Sequence, residues 1–540
     1  MRKTHVRVLF GLTLLLFVAG ASTLAARAQT YKVAYEFGSH SGDPLSPAYG
    51  LVAQGRDGNL YSTSPLGGTG NNGTVFKITS TGALTVLYSF DVTHGALPYG
   101  GLTLGVDGNF YGTAYQGGAG GSGTVFMITP TGTLTVLHDL KGTDGGSPYA
   151  APVQGTDGNF YGTTYNGGSK GYGTVYKMTP TGTLTVLYPF DHTHGGQPHG
   201  PLVQGTDGKL YGTTYSGGTN GYGTVFKVSI GGAFTVLYNF DSTHGSYPYG
   251  SLIQATDGSF YGATYNGGLG GGVIFKITAS GVFTDLYSLT SASDGSGLFA
   301  GLTQVSDGSL YGAALRGGAN SVGTIYRMTT KGAFSALYNF DRTTGSTPEV
   351  TLLQHTTGTL YGETLDGGDH NTGVFYSFKK GLKPFVRLLP TSGKVGKSID
   401  ILGQGFNGAT GVSFNGATAT FNISSDTYLT AKVPAGATTG TVTVTESGGK
   451  LASNQKFRVT PVIKTFNPTS GTVGTPVTIT GVSLTQATKV TFGGVKAISF
   501  TVDSDTQITA TVPTGAKTGK IAITTAGGTA TSSGVFTVTQ

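Results

Sequence analysis

Short stretches in which apolar and polar residues alternate dominate the chain between residues 31 and 378. Residues 101–140 are typical, since they contain GLTLGV, NFYGTAY, GTVFMIT and LTVLHDL with turn-favouring residues between them. Alternation with a period of two, together with many β-branched and aromatic residues, predicts β-strands. We therefore expect this part of the chain to be built from units of four strands.

The four-strand unit repeats at a fixed interval of 50 residues. A tyrosine marks the second strand of every copy, at Tyr61, Tyr111, Tyr161, Tyr211, Tyr261, Tyr311 and Tyr361. Six of the seven copies carry an Asp-Gly pair just before this strand, where aspartate and glycine suit a tight hairpin. A period of this length indicates a repeat architecture, and four strands per unit is typical of a propeller blade. The pattern predicts an all-β fold with a seven-bladed β-propeller.

The fourth strand of the unit is missing once, which suggests how the ring closes. Segments of the LTVLYSF type begin at 84, 134, 184, 234, 283 and 334, six times in all, and YKVAYEF at 31–37 has the same pattern ahead of the first copy. We expect this N-terminal strand to pair with the last blade, whose strands stop near Phe378. Such pairing would leave no open sheet edge.

The N-terminus has the pattern of a secretory signal peptide. Basic residues are followed by the apolar stretch VLFGLTLLLFVAGAS and by the small-x-small triplet Ala26-Arg27-Ala28, so cleavage is expected before Gln29. No later stretch approaches the roughly 20 apolar residues that span a bilayer. We therefore expect a secreted or cell-surface protein with no membrane span in the mature chain.

The 50-residue period ends before Pro384, where two similar units begin with FVRLLPTSGKVG and VIKTFNPTSGTVG. The expected organisation is a signal peptide at 1–28, the propeller at 29–380, and two further domains at 384–460 and 461–540. The joint between the propeller and the first of these two further domains is short, which favours a limited hinge over a long tether.

Two resemblances follow from these motifs. The stretch DGNFYGTAYQGG followed by GTVFMIT resembles the GloVer tandem repeat of bacterial surface and secreted proteins, which carry a choice of cell-surface anchors. The two C-terminal units are similar to IPT/TIG domains, immunoglobulin-like sandwiches that serve as spacers and interaction modules. The resemblance implies export and implies no established chemistry.

Composition and charge narrow the function classes. The chain has 94 glycines and no cysteine, which excludes disulfides and thiolate metal sites. The net charge is +7, but the signal peptide carries four of these positive charges and no acid, so the mature chain is only weakly basic. We expect no nucleic-acid partner and no cofactor. The oligomeric state stays open.

One position just before the first strand of each copy is rich in aromatic side chains. These candidate ligand-binding residues are Tyr49, Tyr99, Tyr149, His199, Tyr249, Phe299 and Glu349. Seven equivalent positions would form a ring at the mouth of the propeller, and aromatic faces suit stacking on sugars or extended peptides. The alternative is that these residues only pack at the junctions between blades.

Ionisable residues offer two further candidates. The seventh copy departs most from the others, and its Glu363 and His370 could form an acid-base pair for catalysis, with sequence drift in the closing blade as the alternative. His94, His194 and His244 share one loop position, but equivalent loops of a ring lie far apart. We therefore expect no metal there and expect the loop aspartates to cap their own turns.

Three functions remain open at this stage. The leading interpretation is a recognition or scaffold protein whose propeller binds a glycan or peptide through its loop face, with the IPT/TIG units as stalk or adhesion modules. The second is a propeller enzyme, either a polysaccharide lyase or a glycoside-active protein. The third is a purely structural surface or adhesion element.

Overall fold

The computed structural model describes residues 29–290 and 292–540, so the expected signal peptide lies outside the described residues. The described chain consists of strands and loops, with a single 3-10 turn at Phe406–Gly408. The predicted all-β class is confirmed. Within the described ranges there is no helix long and apolar enough to cross a membrane.

Residues 30–379 form seven four-stranded antiparallel sheets, here called sheets 1 to 7. The short first strands are Ala53–Gln54, Thr103–Leu104, Val153–Gln154, Val203–Gln204, Ile253–Gln254, Thr303–Gln304 and Leu353–Gln354. The second strands are Leu60–Ser64, Phe110–Ala114, Phe160–Thr164, Leu210–Thr214, Phe260–Ala263, Leu310–Ala314 and Leu360–Glu363.

The third and fourth strands form the outer half of each sheet. The third strands are Thr74–Ile78, Thr124–Ile128, Thr174–Met178, Thr224–Val228, Val273–Ile277, Thr324–Met328 and Val374–Lys379. The fourth strands of sheets 1 to 6 are Leu84–Ser89, Leu134–Asp139, Leu184–Pro189, Phe234–Asn239, Phe283–Ser288 and Phe334–Asn339. A two-stranded ribbon, Pro44–Leu45 with Leu66–Gly67, accompanies sheet 1.

The repeated tyrosine and the Asp-Gly turn are parts of one arrangement. The ring of Tyr161 is fully buried, and its hydroxyl donates to Asp157 at 2.7 Å. The other oxygen of Asp157 accepts the Asn159 backbone N–H at 3.2 Å, and Gly158 supplies the positive φ that the turn needs. Each of sheets 1 to 5 has this tyrosine-aspartate bond, so one carboxylate shapes the hairpin and satisfies a buried hydroxyl.

Neighbouring sheets contact each other through aromatic rings. The Tyr61 ring of sheet 1 stacks on Phe110 of sheet 2 at 4.0 Å between centroids. The same stack joins Tyr111 to Phe160 at 3.9 Å, and Tyr211 to Phe260 at 3.9 Å. Because these rings lie on the central strands, the core of the repeat region is a series of sheet-to-sheet interfaces.

A glutamine at the end of the first strand adds a hydrogen bond between sheets. The side-chain oxygen of Gln154 accepts the Val106 N–H of the preceding sheet at 2.9 Å. Four more glutamines repeat this bond to the preceding sheet, namely Gln204, Gln254, Gln304 and Gln354. Gln54 of sheet 1 accepts the Thr356 N–H of sheet 7 at 3.1 Å. Sheet 2 has Leu104 here, and Arg56 instead donates to the Val106 carbonyl at 2.8 Å.

The N-terminal strand, Thr30–Glu36, is the fourth strand of sheet 7 and pairs antiparallel with Val374–Lys379. The Tyr31 ring stacks on Tyr338 of sheet 6 at 4.0 Å and lies 5.2 Å from Tyr376 of sheet 7. Phe37, just after the strand, packs against Phe76 of sheet 1 at 5.6 Å. This segment therefore contacts sheets 6, 7 and 1.

Residues 387–459 form a first C-terminal sandwich. One sheet contains Arg387–Leu389, Ser398–Leu402, Tyr428–Lys432 and Phe421–Ser425, and the other contains Ala417–Ala419, Gly411–Phe414, Val442–Glu446 and Gly449–Ala452. The short strands Ser392–Gly393 and Arg458–Val459 pair in parallel. Val386, Ile401, Leu429 and Phe457 are among its buried core residues.

Residues 462–538 form a second sandwich with its own core, in which Ile479, Phe492 and Phe536 are fully buried. One sheet contains Val462–Asn467, Pro476–Val482, Gln507–Thr511 and Phe500–Ser504. The other contains Ser470–Gly471, Gly528–Val538, Gly519–Thr525, Ala487–Phe492 and Val495–Lys496.

The first sandwich lies against the Asp-Gly turn ends of the seven sheets. Arg56 of sheet 1 forms an ion pair with Asp400 of the sandwich, and its guanidinium lies 4.7 Å from the centre of the Tyr428 ring. On the opposite side, Arg458 donates to the Thr206 carbonyl of sheet 4 at 2.8 Å. Because sheets 1 and 4 are both contacted, the sandwich spans the turn face.

The packing of Tyr31 yields a stability prediction. Tyr31→Ala should lower the free energy of unfolding by about 3 kcal/mol, because it removes an aromatic ring packed between sheets 6 and 7. Lys32→Ala, on the exposed side of the same strand, should change it by less than about 0.5 kcal/mol. Equilibrium denaturation measures both. Equal, small effects would show that the strand adds little to the fold.

Candidate ligand-binding face

Six of the seven positions predicted to surround the mouth come together as one group of rings, here called the aromatic cluster. Its members are Tyr49, Tyr99, Tyr149, His199, Tyr249 and Phe299. Neighbours around the cluster have centroids 4.1 to 5.4 Å apart, for example 4.2 Å between Tyr149 and His199 and 4.1 Å between Tyr249 and Phe299. All six side chains are half-buried.

Tyr49 occupies the middle of the cluster. Its ring lies 5.1 Å from Tyr99, 5.6 Å from Tyr149 and 4.7 Å from Phe299, which belong to sheets 2, 3 and 6. Because the Tyr49 ring contacts rings of sheets on opposite sides of the cluster, it must lie at the centre of the cluster. The backbone of Tyr49 has a φ of 62°, a conformation that few tyrosines adopt, so the surrounding packing holds it in place. The mouth on this face is therefore filled by aromatic side chains.

The seventh position, Glu349, is buried beside the cluster. Burial raises its pKa to about 8, and the nearby Asp366 carboxylate adds to the effect while Arg316 opposes it. Burial also lowers the pKa of His199 to about 3, and its Nδ1 has no hydrogen-bond partner in the described chain. At neutral pH the His199 ring is therefore uncharged, and so is the aromatic cluster.

A second row of tyrosines lies around the cluster on sheets 2 to 5. This tyrosine row consists of Tyr115, Tyr165, Tyr215 and Tyr265, each half-buried. Tyr115 lies 4.8 Å from Tyr149, Tyr165 4.9 Å from His199, and Tyr215 4.8 Å from Tyr249. Sequence reasoning missed this row, although each member stands four residues after a repeated tyrosine.

The other side of the same face is polar. The positions equivalent to the tyrosine row are Pro65, Leu315 and Leu365 in sheets 1, 6 and 7. Beside Leu315 lies a cleft of about 300 Å³ between sheets 6 and 7, here called the polar cleft. Its polar side chains include Arg316, Arg342, Ser346, Asp366 and Asn371. Since Glu349 is close to Tyr49, Asp366 and Arg316, it connects the cleft with the aromatic cluster.

The structure does not bring together the two residues considered for catalysis. Glu363 has no exposed surface, whereas His370 is exposed on a loop. Both carboxyl oxygens of Glu363 lack a hydrogen-bond partner in the described chain, and the nearby hydroxyls of Ser62 and Tyr376 are also unpartnered. Burial raises the pKa of Glu363 to about 8. A carboxyl in this position cannot touch a substrate at the surface.

The loop histidines are held by the aspartates of their own turns. His94, His194 and His244 each lie 2.9 Å from Asp91, Asp191 and Asp241 respectively, and each aspartate also accepts the histidine backbone N–H. The expected loop capping is thus confirmed. In the described part of the chain, no three His, Asp or Glu side chains are grouped so that they could hold a metal ion.

Comparison with protein families assigns both parts of the chain. The model of the Gloeobacter/Verrucomicrobia repeat matches residues 22–156, 103–305, 148–376 and 270–411. The IPT/TIG domain model matches residues 385–459 and 461–538. Both families predicted from the sequence are confirmed. No curated protein matches the chain.

The solved structures named here are remotely similar to the chain. A fungal alcohol oxidase in complex with copper is 16% identical, covers 77% of this chain and 97% of its own, and has a TM-score of 0.46. SGBP-B from a xyloglucan utilization locus in Bacteroides uniformis is 24% identical, with coverages of 28% and 48% and a TM-score of 0.15. A surface glycan-binding protein from Prevotella bryantii is 18% identical, with coverages of 27% and 38% and a TM-score of 0.22.

Glu363 yields a prediction for the pH dependence of stability. Its pKa is raised from 4.5 to about 8 in the folded protein, so between these values the unfolded chain loses a proton that the folded chain keeps. The free energy of unfolding should therefore fall as pH rises from 4.5 to 8. Glu363→Thr, which introduces the residue of sheets 1 to 4, should remove up to about 5 kcal/mol of this fall.

Denaturation at pH 4.5, 6 and 8 measures this effect. Thr163→Ser, at the same repeat position of sheet 3, is the control and should leave the pH profile unchanged. If Glu363→Thr has the same pH profile as the unmodified protein, the Glu363 carboxyl is not held neutral by burial.

Proposed function

We propose that this chain, which belongs to the Gloeobacter/Verrucomicrobia repeat family, is an exported surface or extracellular protein that binds a glycan through the tyrosine row and the polar cleft. Its two IPT/TIG domains would act as a stalk. The proposed organisation is a signal peptide at 1–28, a propeller at 29–380, and IPT/TIG domains at 384–460 and 461–540.

The proposal includes a closed seven-bladed ring. Three contacts between the first and last sheets support closure. Gln54 makes to sheet 7 the same hydrogen bond that other glutamines make between neighbouring sheets. Leu51 forms a parallel bridge with Thr351, and the N-terminal strand completes sheet 7 while Phe37 packs on sheet 1.

The arrangement of the loop face is the observation that carries the proposal. The tyrosine row presents half-buried rings that pack against the aromatic cluster beside them, so stacking on them orders few new side chains. The polar cleft supplies guanidinium, carboxylate, amide and hydroxyl groups on the other side of the same face. Sugars have an apolar face and a rim of hydroxyls, and this pairing of flat rings with polar side chains matches both.

The filled mouth places the ligand on the surface of this face. Since Tyr49 occupies the centre of the aromatic cluster, the cluster packs against the site from the side of the axis and does not surround a ligand. Of the positions predicted from the sequence, Tyr99, Tyr149, His199, Tyr249 and Phe299 would hold the tyrosine row in place. Glu349 would do the same for the polar cleft.

The position of the IPT/TIG pair is consistent with a stalk. The first sandwich lies on the turn face, where Thr427 donates to the Arg56 carbonyl at 2.7 Å and Gln404 donates to Thr356 at 3.0 Å. These contacts leave the loop face free for a ligand. A domain that holds one face of the propeller and exposes the other suits presentation at a surface.

Binding to a panel of immobilised polysaccharides, followed by calorimetry with the strongest ligand, tests this proposal. Tyr165→Ala and Tyr215→Ala should each weaken binding about five- to tenfold through loss of ring stacking. Arg342→Ala, in the polar cleft, should weaken it about tenfold. Arg327→Ala is the matched control, because Arg327 binds Ser309 near the turn face and should leave affinity unchanged.

Two results would overturn the glycan proposal. One is the absence of saturable binding to any polysaccharide while displayed peptides bind the loop face. The other is affinity that is equal in the unmodified protein and in the Tyr165→Ala and Tyr215→Ala variants.

A further inference from the structure

A cavity of about 390 Å³ lies at the centre of the seven sheets, away from the loop face. The first strands of all seven sheets contribute to its wall, which is mainly aliphatic and includes Leu102, Val153, Val203, Ile253 and Leu353. On the turn side the wall is completed by Arg387, Leu389 and Leu402 of the first IPT/TIG domain. Toward the loop face, a gap of only about 20 Å³ separates the first strands from the aromatic cluster.

Arg387 is the only charged residue in the wall of this cavity, as far as the described residues show. It begins the first strand of the IPT/TIG domain, which lies on the turn face. Its guanidinium donates one hydrogen bond, to the Gln354 carbonyl at 3.2 Å. Within the described chain no Asp or Glu lies within ion-pair distance of Arg387, whereas Arg56 nearby is paired with Asp400.

A charged guanidinium without an acidic partner is costly inside a protein. Burial lowers the pKa of Arg387 to about 10, so the group still carries its charge at neutral pH. It has five N–H donors, and the Gln354 carbonyl uses one of them. A bound anion that accepts two of the four remaining donors would balance the charge and leave only two donors without a partner.

The other polar groups of the wall are mostly occupied by the protein itself. Gln54 bonds both the hydroxyl and the N–H of Thr356, Thr303 donates to the Leu352 carbonyl, and Thr351 accepts from Gly301. Apart from the hydroxyls of Thr103 and Ser251, the polar side chain of the wall with free hydrogen-bonding capacity is that of Arg387, at one end of the cavity. The remainder of the wall offers aliphatic contact.

We propose that the central cavity binds an unbranched aliphatic monocarboxylate, with its carboxylate on the Arg387 guanidinium and its chain along the first strands. A cavity of 390 Å³ has the volume of about thirteen water molecules at roughly 30 Å³ each. It therefore accommodates about a dozen heavy atoms, which is the size of decanoate. This site is separate from the glycan-binding face and does not depend on it.

Calorimetry on the mature chain with decanoate tests the proposal, both on the folded protein and after refolding with the acid present. One molecule should bind per chain. From hexanoate to decanoate, each added methylene should tighten binding about three- to fourfold, and the gain should end once the chain exceeds the cavity. Decanol, which lacks the carboxylate, should bind ten- to a hundredfold more weakly than decanoate.

Variants of two arginines separate this site from general binding to the domain. Arg387→Gln should weaken decanoate ten- to a hundredfold and leave decanol unchanged, and Arg387→Lys should retain part of the affinity. Arg458→Gln is the matched control, because Arg458 also joins the IPT/TIG domain to the sheets but does not line the cavity. It should leave decanoate affinity unchanged.

The proposal fails if decanoate does not bind saturably at one molecule per chain by either route. It also fails if decanol binds the unmodified protein as tightly as decanoate, a result that does not require any variant to fold. Equal decanoate affinities in Arg387→Gln and in the unmodified protein would likewise contradict it.

Discussion

The contact between neighbouring sheets is the interaction on which the rest of the structure depends. A single four-stranded sheet, with a short first strand and a half-exposed fourth strand, cannot bury its own rings, so each sheet uses the next one as its core. The stack of Tyr61 on Phe110 and the hydrogen bond from Val106 to Gln154 show the two parts of this contact. The rings supply burial, and the glutamine fixes the register between sheets.

This repeated contact leaves two different faces. On the loop face the inward residues are large and aromatic, so they meet in the middle and fill the mouth, with Tyr49 at the centre. On the turn face the sheets end in tight hairpins, and an IPT/TIG domain covers the opening with Arg387 and Leu402. The same fold thus presents a rigid aromatic surface on one side and a central cavity with one charged end on the other.

Much of the repeat region could be predicted from the sequence, because its period is local and regular. The alternation of apolar and polar residues predicted the four strands of each unit. The number of LTVLYSF segments predicted that the N-terminal strand pairs with the last sheet, where its partner is Val374–Lys379. The positions of the aromatic cluster followed from the 50-residue spacing. The filled centre of the cluster could not be predicted from this spacing. Whether Tyr49 reaches the centre depends on the diameter of the opening, which the sequence pattern does not determine.

The features that sequence reasoning missed depend on contacts between distant parts of the chain. In the sequence, the glutamines at the ends of the first strands resemble ordinary strand residues, because their hydrogen bonds reach the preceding sheet. Arg387 likewise resembles the other basic residues of its IPT/TIG domain. Glu363 was identified correctly as a departure from the repeat. Its side chain is buried near Ser62 and Tyr376, so it affects the stability of the fold and does not lie at the surface.

Hydrogen exchange of the chain, followed peptide by peptide, tests most directly whether the sheet-to-sheet contacts close into a ring. If the first and last sheets close on each other, local opening of sheet 7 would have to break the whole ring. Peptides covering Thr30–Glu36 and Val374–Lys379 should then exchange as slowly as the equivalent outer strands of sheets 3 and 4. Exchange in the N-terminal strand and sheet 7 that is orders of magnitude faster than in sheets 3 and 4 would contradict a closed ring.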